Sequence, residues 1–480
     1  MGTRGFEPLD QDLYQDPVAQ RYASVEMQSL FSPLRRALTW RDVWIALAKV
    51  EQEGGLPVTP EQVRSLEQAR DKIDLARVAQ IERETRHDVM AHIRHYGEVA
   101  PDAAGVIHLG ATSCFVTDNA DLMILKTGLC SVRDRLLRVI HELSSFCREN
   151  AAIPTLGLTH LQPAQLTTVG KRSSLWLQDL VHCYREIHDL IGELPLRGLK
   201  GTTGTQASFL QLCGGDGSRV DALEQALAKE LGFEKVFDLC GQTYPRLWDH
   251  RIACRLTDIS IAMHKAATDI RLLQSFGEVE EPYEKTQVGS SAMPYKRNPM
   301  RSERICSLSR HVMTITPGLA QLAANQWLER TLDDSAQRRI ALPGLFLTSD
   351  AILVAARNVF SGLIVHHQVI ERRIAEHLPF MAAEELLMAG VARGGDRQQL
   401  HERIREYSWK AREAVLKGDE NPLRRMIEED DFFGEVASSL PPWEPHRFTG
   451  RAAEQTFRYL DDVVDLLPRP DEDHLTELRV

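Results

Sequence analysis

Cysteine pairs at metal or redox spacing are missing from this 480-residue chain. Its eight cysteines never come closer than Cys240 and Cys254, so no CxxC exists, which excludes zinc ribbons and thioredoxin-type motifs. Scattered thiols without an export signal are expected to be free, in a reducing, cytoplasmic setting. None of the six asparagines heads an Asn-x-Ser/Thr acceptor. No apolar run is read as reaching the roughly 18 to 20 residues that a membrane helix needs, so no membrane role is expected. Met1-Gly2-Thr3-Arg4-Gly5-Phe6 lacks an apolar signal segment, and Phe6 breaks the myristoylation pattern. The last residues, Glu477-Leu478-Arg479-Val480, carry no prenylation box. A basic excess is missing too. Lys and Arg total 57 against 68 Asp and Glu, a net charge of −11, which argues against nucleic acid as a partner. A small anion remains open, because a local Arg/Lys cluster can outweigh the global sign.

What is present is helical periodicity. Apolar residues make up 43% of the chain, enough for a large core, and the length predicts about three domains. Trp40, Val43, Trp44, Leu47 and Val50 form one stripe that Gly54-Gly55 ends. A charge-rich helix, broken once, is expected from about Pro60 to Tyr96. Thr117 is the expected cap of a helix running from Asp118 to about Asn150. Further long runs are read at Pro163 to Leu194, Leu247 to Phe276, Glu303 to Leu328 with a break near Pro317, and Arg338 to Val365. Strand patterns are scarce, no βαβ rhythm occurs and no repeat of 20 to 50 residues is visible. The fold class is therefore all-α. Its domains are expected at 1–111, at 112–365 for a long-helix bundle, and at 366–480. Several helices of about 30 residues suggest a bundle completed by other subunits.

The unusual sequence lies in loops between helices, where chemistry tends to sit. Gly201-Thr202-Thr203-Gly204 resembles a phosphate cradle but lacks the GK[ST] of a P-loop, so ligand loop and plain connector both stay open. His87, His92 and His95 fall on one expected helix at spacings that do not match HExxH, so no metal is expected. Asp88 is a candidate to fix the tautomer of a neighbouring imidazole. His160, between Pro154 and Pro163, is either structural or functional. Ser290-Ser291-Ala292-Met293-Pro294-Tyr295-Lys296-Arg297-Asn298 is the strongest signal. A serine hydroxyl becomes a base only where cations or N–H groups hold its anion, and Lys296 and Arg297 supply cations.

The run Gly289 to Pro299 matches GSSxMPxKxNP and resembles the signature of the fumarase/aspartase superfamily. Arg21-Tyr22-Ala23-Ser24, Arg86-His87-Asp88-Val89-Met90-Ala91-His92, Thr159-His160-Leu161-Gln162-Pro163-Ala164-Gln165 and Arg330-Thr331-Leu332-Asp333-Asp334-Ser335 are similar to motifs of its adenylosuccinate lyase family. So is Lys200 to Ser208. The resemblance runs from about residue 20 to 465, in the wording of the animal-type branch, with Leu161 where Phe is usual.

That resemblance implies a three-domain fold and a homotetramer with a twenty-helix core, each active site drawing on three subunits. It implies cleavage of adenylosuccinate to AMP and fumarate. A second implied substrate is the succinyl-aminoimidazole-carboxamide ribotide, cleaved to the aminoimidazole carboxamide ribotide and fumarate. No cofactor is implied. Ser290 would be the general base, His160 the general acid, and Lys296 and Asn298 the charge holders. His87 would bind substrate and support the acid. Arg21 and Tyr22 would hold the 5′-phosphate. Arg86, Asp88, Thr112, Ser113, Thr159, Gln242, Arg304, Arg330, Ser335 and Arg339 would complete the pocket. The rivals are another fumarate-releasing lyase such as argininosuccinate lyase, and a non-enzymatic protein on the same scaffold.

Overall fold

The computed structural model describes residues 16–284, 293 and 295–471. Ser290 and Ser291 lie outside the described residues. Five long helices make the body: Ser113–Glu149, Val169–Glu193, Leu247–Ser275, Met300–Ala324 and Asp334–Phe360. Their apolar faces, among them Leu129, Leu136, Leu180, Ile259, Val312 and Phe346, are fully buried in one continuous core. A second, smaller apolar cluster joins Leu386, Leu400, Ile427 and Phe433.

The polarity of these helices matters for function. Arg246, just before the third long helix, pairs with Asp118 near the start of the first and Asp334 at the start of the fifth. Those three helices therefore begin at one end of the bundle. The second and fourth run back. The first is 37 residues long, about 55 Å at 1.5 Å per residue. Segments after its C-terminus thus sit at the far end from segments before its N-terminus.

Local chemistry moved several boundaries. The stretch from Pro60 to Tyr96 is three helices, Pro60–Ala69, Leu75–Thr85 and Asp88–Val99, so it breaks twice. Thr59 and Gln62 close a capping box on the first, Asp74 caps the second and His87 caps the third. The first long helix starts at Ser113 after Thr112, five residues before the expected start. Pro163 belongs to a β-hairpin, Pro154–Thr159 with Gln162–Thr168, and the helix begins only at Val169. Pro317 stays inside an unbroken helix. The fifth helix of the body ends at Phe360, Ile364–Val365 pairs with Val279–Glu280, and a further 26-residue helix, His367–Ala392, follows.

The helix Asp334–Phe360 is, by length and mean hydropathy of 1.5, apolar enough to cross a membrane, contrary to the reading that no run qualifies. Some 78% of that window is buried inside the protein, so its apolarity serves the bundle core.

Candidate active site

The residues singled out in the sequence separate into three groups. The first lines a cavity of about 670 Å³ where the long helices begin. Arg86 takes a left-handed conformation at φ 55° and turns the chain so that His87 caps the helix Asp88–Val99. His87 Nδ1 accepts the Met90 N–H at 3.3 Å. In the neutral ring that contact puts the proton on Nε2, which lies 3.4 Å from Ser113 Oγ. The helix backbone thus fixes the tautomer expected of Asp88. The Asp88 carboxylate instead accepts from Arg339 at 2.9 Å, and its nearer oxygen is 3.8 Å from the ring. Thr112, Gln242, Arg330 and Ser335 line the same cavity.

Beneath this cavity lies a charge network that sequence reading missed. Asp334 accepts from both Arg246 and Arg330 at 2.7 Å. Burial pushes its carboxyl up, but the two guanidiniums outweigh that and leave it below the usual carboxylate range. Arg338, fully inside, reaches Asp121, Asp249 and the Tyr244 hydroxyl, while the adjacent Arg339 points outward to Asp88. Each charge is paired, which is what makes such burial tolerable. Arg197 donates to the backbone carbonyls of Gln242, Gly198 and Gly201, and Gln242 N–H reaches Glu329. The Gly201–Gly204 loop packs against this strand of chain. Gly204 has φ +81°, and a Cβ there would fall 1.8 Å from the Cys240 carbonyl oxygen. Its glycine serves close packing beside Gln242, and Lys200 is neutralised by buried Glu224 at 2.8 Å. The signal available was charge on the apolar side of long helices, as at Asp118, Asp249 and Arg338.

The second group is the hairpin after the first long helix. Gly157 allows a bulge, since a Cβ there would meet Gln165 O at 2.6 Å. Thr159 pairs with Gln162, leaving a two-residue turn of His160 and Leu161 with φ 54° and 58°. Both signs are those of a type I′ turn, usually built from Asn and Gly. Thr159 and His160 are exposed at this tip, and neither lines the cavity of His87.

The third group also sits at the far end. Arg304, in the first turns of Met300–Ala324, lies 5.4 Å above the Tyr22 ring, and Arg21 lies 5.9 Å from the same ring. Burial lowers the Arg304 pKa, with the like charge of Arg21 acting in the same direction. Two cations crowded on one ring suit an anion. Lys296 is exposed and Asn298 half-buried just before this helix.

Comparisons with known proteins agree with the architecture and narrow the chemistry. A family model described as Lyase matches residues 23–314, and one described as Adenylosuccinate lyase C-terminus matches residues 379–459. The chain is 46% identical to the adenylosuccinate lyase of Saccharomyces cerevisiae, over 98% of this chain and 99% of that one. It is 45% identical to that of Schistosoma mansoni, over 94% and 95%. Among solved structures it resembles 3-carboxy-cis,cis-muconate lactonizing enzyme from Pseudomonas putida, at TM-score 0.78 and 22% identity, covering 93% of this chain and 98% of that one. A fumarate lyase from Mesorhizobium sp. BNC1 gives TM-score 0.78 and 21% identity, covering 95% and 100%. At that identity the likeness is one of fold.

Proposed function

Because the chain belongs to the adenylosuccinate lyase family of the fumarase/aspartase superfamily, we propose how its three groups of residues divide the work. The chain is a carbon–nitrogen lyase. It eliminates fumarate from adenylosuccinate, leaving AMP, and from the succinyl-aminoimidazole-carboxamide ribotide, leaving the aminoimidazole carboxamide ribotide.

In our reading, Ser290 takes the β proton of the succinyl group. The electron pair moves into the neighbouring carboxylate, where Lys296 and Asn298 hold the developing charge. The C–N bond then breaks, and His160 delivers a proton to the leaving nitrogen. His87, Asp88, Arg86, Thr112, Ser113, Gln242, Arg330, Ser335 and Arg339 grip the substrate in the cavity. His87, whose Nδ1 is occupied by the Met90 N–H, offers Nε2 there as a hydrogen-bond donor. Arg21, Tyr22 and Arg304 take the 5′-phosphate.

One observation carries this reading: the grip and the acid stand at opposite ends of a helix about 55 Å long. Complete sites then need bundles from several chains. A homotetramer, with sites built from three subunits and five long helices from each chain, meets that need. The division at 111/112 and 365/366 and a cytoplasmic location belong to the same reading, and eight free cysteines go with that location.

The test is fumarate release, followed by ultraviolet absorbance on adenylosuccinate and on argininosuccinate. Turnover of the first alone is expected. Turnover of the second alone would overturn the substrate assignment, and turnover of neither would overturn the lyase reading.

A further inference from the structure

The segment that presents Arg21 and Tyr22 is short, and its attachment to the bundle is unusual. Val18–Tyr22 forms a single wide turn closed by Ala23 N–H on Val18 O at 2.9 Å. Two residues past Tyr22, the Ser24 N–H donates to Asp350 Oδ2 at 2.6 Å. Ser24 Oγ accepts from Met27 N–H and caps the helix Val25–Leu30. Asp350 is 0% exposed, in the middle of the apolar helix Asp334–Phe360. Its other oxygen lies 2.7 Å from Arg135 Nε, an ion pair set by charge and distance, and Arg135 reaches Glu26 at 2.6 Å.

A buried ion pair such as Asp350–Arg135 is costly to desolvate, and replacing both partners by well-packed apolar residues is often neutral for stability, so the pair is weak evidence of a purely stabilising role. Burial pushes the Asp350 carboxyl up, against the pull of Arg135 and the Ser24 amide. What the carboxylate adds is a fixed acceptor for one backbone N–H. Each residue of chain spans up to about 3.6 Å, so freeing Ser24 lets Tyr22 and Arg21 drift by several ångströms from Arg304.

We propose that Asp350 is a positioning residue for phosphate recognition, latching through the Ser24 N–H the segment that sets Arg21 and Tyr22 beside Arg304. The inference rests on the phosphate reading above and goes beyond it by naming what fixes the specificity.

Ser24 permits a test that leaves the buried pair in place. Its φ of −66°, and the −75°, 151° of Ala23, suit proline at this position. Ser24→Ala removes the cap and keeps the N–H. Ser24→Pro removes both and pushes the carboxylate away. With adenylosuccinate, Ser24→Pro should raise KM about tenfold above Ser24→Ala while kcat stays within about threefold. With the analogue lacking the 5′-phosphate, the two variants should match. Asp350→Asn, which keeps an acceptor but not the charge, should fall between wild type and Ser24→Pro. Equal KM for Ser24→Ala and Ser24→Pro on adenylosuccinate would overturn the latch, as would equal rises on both substrates. Arg21→Ala run alongside separates the two layers. If it weakens both substrates alike, the phosphate reading itself fails and the latch with it.

Discussion

Mixing two dead variants should restore activity, and the geometry says by how much. His87 touches Ser113 at the start of the 37-residue helix, and His160 sits on the hairpin that follows its end. The helix spans about 55 Å. The hairpin arm is six or seven residues long, about 20 Å at 3.4 Å per residue. Even folded straight back along the helix, it leaves about 35 Å between backbone points, and more than about 20 Å between the imidazoles after allowing about 6 Å of reach for each side chain. Catalytic groups act within about 3.5 Å of the reacting atoms, so one chain cannot place both on one substrate. His87→Ala and His160→Ala should each be nearly inactive alone. After subunit exchange at equal amounts, about a quarter of sites should carry both wild-type histidines, since each comes from a different chain with probability one half. Fumarate release from the mixture should approach about 25% of wild type. If native mass measurement finds mixed assemblies and they stay inactive, the division of the site between chains is wrong.

Other expectations follow from single groups. Ser290→Ala should lower kcat by about 10³-fold or more with little change in substrate binding; if Ser291→Ala does so instead, the base is misassigned. Glu51, 1% exposed and with no hydrogen-bond partner for either oxygen among the described residues, has its pKa pushed by burial to about 8 from 4.5. The folded state keeps it neutral while the unfolded state ionises near 4.5, so stability falls as pH rises from 4.5 to 8. The loss reaches roughly 4–5 kcal/mol at most. Glu51→Gln should therefore melt above wild type at pH 8 and level with it at pH 4.5; a constant gap would refute this. Asp334→Ala, which strips Arg330 and Arg246 of a shared partner, should cost about 3–5 kcal/mol in chemical denaturation. A cost below about 1 kcal/mol would show the network to be dispensable.

The all-α class and the long helices were legible because their apolar stripes are long, while caps such as Thr168 passed unread and left the helix starts misplaced. The hairpin was not. Its strand Gln162–Thr168 opens with Gln and Pro and has only Leu166 and Thr168 buried, which is no alternating pattern. The breaks at Asp74 and His87 were hidden by a charge-rich stretch whose side chains read equally as a solvated helix face. His87 drew notice as one of three histidines on an expected helix beside Asp88, whereas Gln242 and Arg330 came only from the family resemblance. Asp118, Arg246, Asp249, Arg338 and Asp350 did not stand out. A charge in a helix reads as exposed until a partner far along the chain, such as Arg338 for Asp249 or Arg135 for Asp350, is known to face it.

The hairpin tip has a consequence for engineering. His160 and Leu161 each hold a left-handed backbone at a cost of about 1–2 kcal/mol, and Leu161 leaves over half its surface exposed. Position 161 therefore carries a stability cost that a residue at ease in this backbone would remove. A library sorted for heat resistance alone will enrich Gly or Asn there, because both relieve the turn. Gly and Asn keep the same left-handed turn, so the same library sorted for fumarate release will show whether the Leu161 side chain contributes more than its backbone. Stabilising this enzyme is then open to cap design along its helices and to turn design at position 161.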